Sequence, residues 1–190
     1  SHMGLVDKLY VFDNSEIPAK GLLNNLSQFK NIVYNHDGKN EGIAKRLNQG
    51  SELARKDGFE WLLTMDQDSF FKEGIIQKYL DCVESFMKND VSMFGINFSR
   101  QEEESSNCMS APVKSLITSG SILNLNLFSE IGGFDENLFI DEVDFEYCLR
   151  SVSKGFRIIQ FNHIFFQHRL GTLTYHRSVK NTKITPRILH

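Results

Sequence analysis

Cysteine, proline and tryptophan are scarce in this chain, and it has neither a long apolar run nor an excess of basic charge. Each absence removes a class of protein. The three cysteines, Cys82, Cys108 and Cys148, are scattered and odd in number. They form neither a disulfide framework nor a CxxC-type metal site, which fits a reducing compartment. The three prolines lie far apart, and no repeat, low-complexity tract or Gly-rich linker divides the sequence, so residues 4–190 are expected to form one domain. No apolar run nears the roughly 20 residues that span a bilayer. A net charge of −3 gives no footprint for nucleic acid and no general attraction to anionic lipid. Ser1-His2-Met3 looks like an expression-vector remnant and is left out of fold and site reasoning.

What is present is enough apolar material, 41% of 190 residues, for a sizeable core. Short apolar runs alternate with helical patterns. "LYVF" (Leu9–Phe12) and "NIVYN" (31–35) are expected strands. From Glu41 to about Lys56, Ile43, Leu47, Leu53 and Ala54 support an amphipathic helix that Gly50 weakens. "FEWLLTM" then has the continuous apolarity of a buried strand. Ile75, Ile76, Tyr79, Leu80, Val83, Phe86 and Met87 mark one face of a helix. "VSMFGINF" (91–98) is a strand, and "SRQEEESSN" (99–107) is polar enough to be solvated. "SILNLN" (121–126), a short helix through Glu130, a helix from about Asp144 to Lys154 and two strands near 156–167 complete the pattern. Such alternation predicts an α/β architecture on a largely parallel sheet.

The strand "FEWLLTM" ends abruptly in Asp66-Gln67-Asp68. Ligands of α/β sheets bind beyond the carboxyl ends of strands, and two carboxylates around one turn residue can converge on Mg²⁺ or Mn²⁺. Alone, the pair is more often an ordinary turn. "NEGIAKRLNQG" (40–50) opens a helix whose first amides, with Lys45 and Arg46, could receive an anion. An ordinary capped helix explains it as well. In "IGGFDENLFIDEVDFEYCLR" (131–150), capping accounts for one or two acids but not for Asp141, Glu142, Asp144 and Glu146 together. Their repulsion should raise some pKa values, as suits a general base. His168, ending an apolar strand, is a structural histidine or a third metal ligand.

Together these segments, with "VFDNS", "LITSGSIL" and "HRLG", resemble family-2 glycosyltransferases of the GT-A fold, and most closely their rhamnosyltransferase-like branch. They stand in family order from Leu9 to Gly171. The resemblance implies inverting, metal-assisted transfer of a sugar, rhamnose in that branch, from a nucleotide-diphosphate donor to an acceptor hydroxyl in cell-surface polysaccharide synthesis. It implies nucleotide-sugar binding by Asp13, Asn40, Gly42, Arg46, Asp66 and Asp68. The divalent metal, Mg²⁺ or Mn²⁺, falls to Asp68 ahead of Asp66, with His168 as a third contact. The family's base motif, E-D-x-D-L-x-x-R, anchored on Arg150, sets Asp144 at the base position, with Val143 where the family has glutamate. Asp141 is the second candidate, and Glu142 stays open. A glycan or lipid-linked acceptor is implied; the latter would bring the chain to the inner face of the cytoplasmic membrane from a cytoplasmic location.

The family's usual first strand and helix have no counterpart before "DKLYVFDNS". This supports an alternative, an inactive truncated or degenerate nucleotide-sugar-binding or assembly module whose open central edge pairs with another chain to give a homo-oligomer. A nucleotidyltransferase also uses paired aspartates and metal, but its glycine- and arginine-rich phosphate loop is not found near the N-terminus.

Overall fold

The computed structural model describes residues 2–18, 21, 26, 28–97, 108–165, 167–168, 173–177 and 184–188, with side chains from Gly4 to Phe165 of these. The polar stretch 99–107 lies outside them. The strands are β1 (Leu9–Asp13), β2 (Ile32–His36), β3 (Trp61–Thr64), β4 (Ser69–Phe70), β5 (Val91–Ile96), β6 (Ser110–Val113), β7 (Ser121–Asn124), β8 (Arg157–Phe161), β9 (Gln167–His168), β10 (Leu173–Arg177) and β11 (Ile184–Ile188). The helices are α1 (Ile43–Lys56), α2 (Ile75–Phe86), α3 (Leu125–Ile131) and α4 (Val143–Ser153). No helix among the described residues is long and apolar enough to cross a membrane.

The central sheet has the strand order β3-β7-β5-β8-β6. Strand alternation sends adjacent residues to opposite faces, and the core divides accordingly. Phe94, Ile122 and Ile159 join Ile76, Tyr79 and Val83 of α2 on one face. Met93, Leu123 and Ile158 join Ala44 of α1, Phe128 and Ile131 of α3, and Val143, Tyr147 and Cys148 of α4 on the other. The result is a three-layer sandwich, helix–sheet–helix, as the alternation of elements leads one to expect.

Strands reached by helical crossovers share a direction, so β3, β5 and β8 are co-aligned. The expectation of parallel strands holds for these and for the β1–β2 pair. The sheet as a whole is mixed, because β7 inserts antiparallel between β3 and β5, and β6 borders β8 antiparallel. β6 is an edge strand, which is where Pro112 can sit without breaking a ladder. β1 and β2 pair in a sheet of their own, and α1 packs against both β1 and β3. Gly50, a weak helix former, lies where Phe12 of β1 meets α1: a Cβ there would approach Phe12 Cε2 at 3.3 Å.

One expectation is corrected here. Cys82 of α2 and Cys108, before β6, form a disulfide, and only Cys148 among the three cysteines is free. Sequence spacing could not reveal this, since the pairing depends on α2 lying over the sheet beside the approach to β6. The support that scattered cysteines gave to a reducing compartment falls with it. Burial in the second cluster pushes the Cys148 thiol up to about 11.

Two outcomes are expected. Under oxidising conditions, denatured but unreduced protein should titrate one thiol, Cys148, and a second and third only after reductant. Gly42, at φ +83°, would place a Cβ 2.6 Å from the Phe139 carbonyl oxygen. Gly42→Ala should therefore lower stability by about 1–3 kcal/mol from backbone strain alone, read as a fall in Tm by thermal denaturation.

Candidate functional site

Where β3 ends, the chain turns: the Ser69 amide donates to the Asp66 carbonyl at 3.2 Å, with Gln67 and Asp68 at the bend. Asp66 is exposed and Asp68 half-buried. The turn is fixed by a second loop, Ile117–Gly120. There the Asp66 amide donates to Ser119 Oγ at 3.1 Å, and Ser119 Oγ meets Ser69 Oγ at 3.0 Å. The Gly120 amide bonds the Thr64 carbonyl at 2.8 Å, and the Thr64 hydroxyl bonds the Thr118 and Ser121 carbonyls.

The same loop reaches α4. The Thr118 amide donates to Asp144 Oδ2 at 3.0 Å. Asp144 is the second residue of α4 and half-buried. Burial raises its pKa above the ordinary 3.8, opposed by the Thr118 amide and its own, and assisted by the negative charges of Asp66 and Glu142. Repulsion among acids thus contributes, as the sequence suggested, but desolvation is the larger cause. The other acids of this segment divide by role. Glu146 pairs with Arg150 at 2.6 Å, and Asp135 caps a short turn through the Asn137 amide. Asp141 and Glu142 join Asp144 along an open cleft of about 480 Å³.

The loop before α4 is backbone-strained. The Ile140 amide bonds the Leu138 carbonyl at 2.6 Å, closing a γ-turn on Phe139 at φ +56°, ψ −63°. Glu142 follows in the left-handed region at φ +63°. The segment that leads into this loop is fixed by neighbours. Asn48 of α1 accepts from the Phe134 amide at 2.7 Å and donates to the Phe134 carbonyl at 2.9 Å. Arg150 donates to the carbonyls of Ile131, Gly132 and Gly133.

A second group gathers at the end of β1. Asp13 accepts from the Tyr34 hydroxyl and from the amide and hydroxyl of Ser15. Asn14 donates to Asn40 at 2.7 Å and accepts from the Glu41 amide and Arg46 Nε, each at 3.0 Å. Arg46 is nearly enclosed. Its remaining N–H groups bond Asp37, Gln49 and the Lys39 carbonyl. The guanidinium beside Asp37 holds that carboxyl down at about 2. The first amides of the α1 segment are likewise engaged, Glu41 with Asn14, Gly42 with Asn40 and Ile43 with the Phe139 carbonyl. The sequence leaves an anion-receiving start and an ordinary capped helix both open, and these internal acceptors favour the ordinary helix at the three amides leading into α1.

Among the described residues no three His, Cys, Asp or Glu side chains converge as a metal group. The donor types nevertheless suit Mg²⁺ or Mn²⁺, with hard carboxylate oxygens of Asp66 and Asp68 about one turn. The β4–β9 ladder sets the His168 backbone opposite Ser69, next to Asp68, while its side chain lies outside the described part. The sequence reading gives no role to Asn14, Thr118 or Ser119, although "VFDNS" and "LITSGSIL" contain them, and does not single out Asp37. For Thr118 and Ser119 the available signal is "TSG" before a buried strand, a hydroxyl-rich turn closing on Gly120 at φ +76°.

Residues 7–135 match the family model Glycosyl transferase family 2. That span holds Asp13, Asn40, Gly42, Arg46, Asp66 and Asp68 and stops before Asp141, Asp144 and His168. A dTDP-rhamnosyl transferase of Shigella flexneri, RfbF, is 32% identical over 154 residues, covering 70% of this chain and 51% of the relative. The chain thus spans about half the length of that curated relative. A structure of GalNAc-T7 with UDP, GalNAc and Mn²⁺ superposes with a TM-score of 0.63 at 12% identity, over 84% of this chain and 38% of the other. Residues 1–349 of S. aureus TarS in complex with UDP give 0.56 at 16% identity, over 81% of this chain and 48% of the other. At such identities the two structures establish the shared GT-A fold. The chain belongs to glycosyltransferase family 2.

Proposed function

We propose that this chain transfers a sugar, with rhamnose the first candidate, from a nucleoside-diphosphate donor to an acceptor hydroxyl with inversion. The reading rests on one observation: in a family-2 chain, the Ile117–Gly120 loop binds the Asp66–Asp68 turn on one side and Asp144 on the other. Asp13, Asn40 and Gly42 border the nucleoside. Arg46, its donors committed within the protein, shapes that border by holding Asp37 and Asn14.

Asp68 and Asp66, with His168, would hold a divalent metal, which when bound supplies counter-charge for the departing diphosphate. The acceptor oxygen bonds to the anomeric carbon while the bond from that carbon to the diphosphate oxygen breaks, its electron pair leaving with the diphosphate. The hydroxyl proton passes to the Asp144 carboxylate. Its raised pKa narrows the gap to the alcohol, and the Thr118 amide keeps one of its oxygens oriented. One displacement of this kind inverts the carbon. The similarity to a dTDP-rhamnosyl transferase supports a dTDP-linked donor, and the family resemblance adds a place in cell-surface polysaccharide synthesis to the reading. The separate β1–β2 sheet favours a second reading, a nucleotide-sugar-binding module without turnover.

Calorimetry with dTDP or UDP and Mn²⁺ should give a metal-dependent binding signal that Asp68→Ala weakens by at least about tenfold, roughly 1.4 kcal/mol. Absence of binding by any nucleoside diphosphate, with or without metal, rejects the transferase reading for this chain. Donor binding with no transfer to any acceptor selects the binding module. Asp144→Asn should retain donor binding and lower transfer by about 10²–10⁴-fold. In the wild type, transfer should fall with decreasing pH along a limb centred above 3.8, because protonation removes the base and its pKa is raised. Unchanged transfer in Asp144→Asn would move the base to Asp141 or Glu142.

A further inference from the structure

The cleft beside Asp144 combines two kinds of surface. Ile117, Ile140 and Phe145 line it while 39%, 40% and 47% exposed, so apolar area is left in water around it. Between them stand the carboxylates of Asp141, Glu142 and Asp144, and among the described residues no lysine, arginine or histidine lines the cleft. Ser115 and Gln160 add neutral polar groups, Gln160 being steadied by the Ile96 carbonyl at 3.3 Å.

We propose that this cleft takes an uncharged pyranose and turns away anionic ones, with Phe145 as the platform under the sugar ring. The proposal rests on the transferase reading and narrows its acceptor. A pyranose has C–H-rich faces and a hydroxyl rim, the same division as the lining. Its apolar face covers exposed aromatic and aliphatic area, which favours burial. Its hydroxyls donate to carboxylates, and hydrogen bonds to charged acceptors are the stronger kind. A uronate or sugar phosphate would instead bring a like charge against three carboxylates, with no cation among the described lining residues. Phe145 is suited to the role because it lines the same cleft as Asp144. A ring lying on it is carried up to the carboxylate while the flanking Val143 and Tyr147 stay in the core.

Saturation-transfer NMR on the whole chain at pH 7 tests this with methyl β-D-glucopyranoside and methyl β-D-glucuronide. The glucoside should give a signal and the glucuronide none. Phe145→Ala should weaken glucoside binding by up to about tenfold, the range of an aromatic contact. Leu149→Ala, on the same helix and 43% exposed but outside the cleft, should leave it unchanged. Equal signals from both glycosides, no signal from either, or a glucoside signal indifferent to Phe145→Ala overturns the proposal; so does an equal loss in Leu149→Ala. Nucleoside-diphosphate calorimetry on the same samples reads the transferase proposal separately, and Phe145→Ala should leave that signal intact.

Discussion

Asp66 and Asp144 are held by one loop, and the negative charge of Asp66 adds to the rise in the Asp144 pKa that burial chiefly causes. Holding them near each other is the constraint around which the site is built. The Ile117–Gly120 loop meets it with two neutral groups, the Thr118 amide for Asp144 and the Ser119 hydroxyl for the Asp66 backbone. A hydrogen bond to a charged acceptor is stronger than a neutral one, so the Thr118 bond offsets part of the desolvation that raises Asp144. The loop itself is anchored by β7, whose four residues are all buried, and by Leu116, pinned through its amide to Cys148.

Around this buckle the cationic side chains act inward. Arg46 ties Asn14, Asp37 and the Lys39 carbonyl into one unit, and Arg150 ties Glu146 to three successive carbonyls. A planar guanidinium suits such multi-point work better than an ammonium. Each thereby stabilises an irregular loop whose backbone groups lack a regular ladder. Arg46 and Arg150 therefore shape the walls, while Asp141, Glu142 and Asp144 line the cleft.

Much of this was legible in the chain. Ile76, Tyr79 and Val83 at helical spacing named the buried face of α2, and "VSMFGINF" announced the strand β5. Asp66-Gln67-Asp68, closing an apolar run, marked the turn at the end of β3. Asp144, placed by motif alignment on Arg150, proved to be the half-buried acid with the raised pKa. What stayed hidden was long-range. The Cys82–Cys108 pairing, the insertion of β7 between β3 and β5, and the commitment of Arg46 to Asp37 all depend on how distant segments pack. Local propensity says nothing of that packing. The helix start after Gly42 illustrates it best, since the partner of its first amide lies about a hundred residues downstream.

That partner, the Phe139 carbonyl, has a consequence for anyone who would re-engineer the protein. The bond from Ile43 to Phe139 joins the β1-side loop to the acid-bearing loop, and the missing Cβ of Gly42 is the clearance between them. The two loops share one seam and no spare volume. Grafting either one from a relative therefore requires grafting both, because a shift in one loop closes the clearance left for the other.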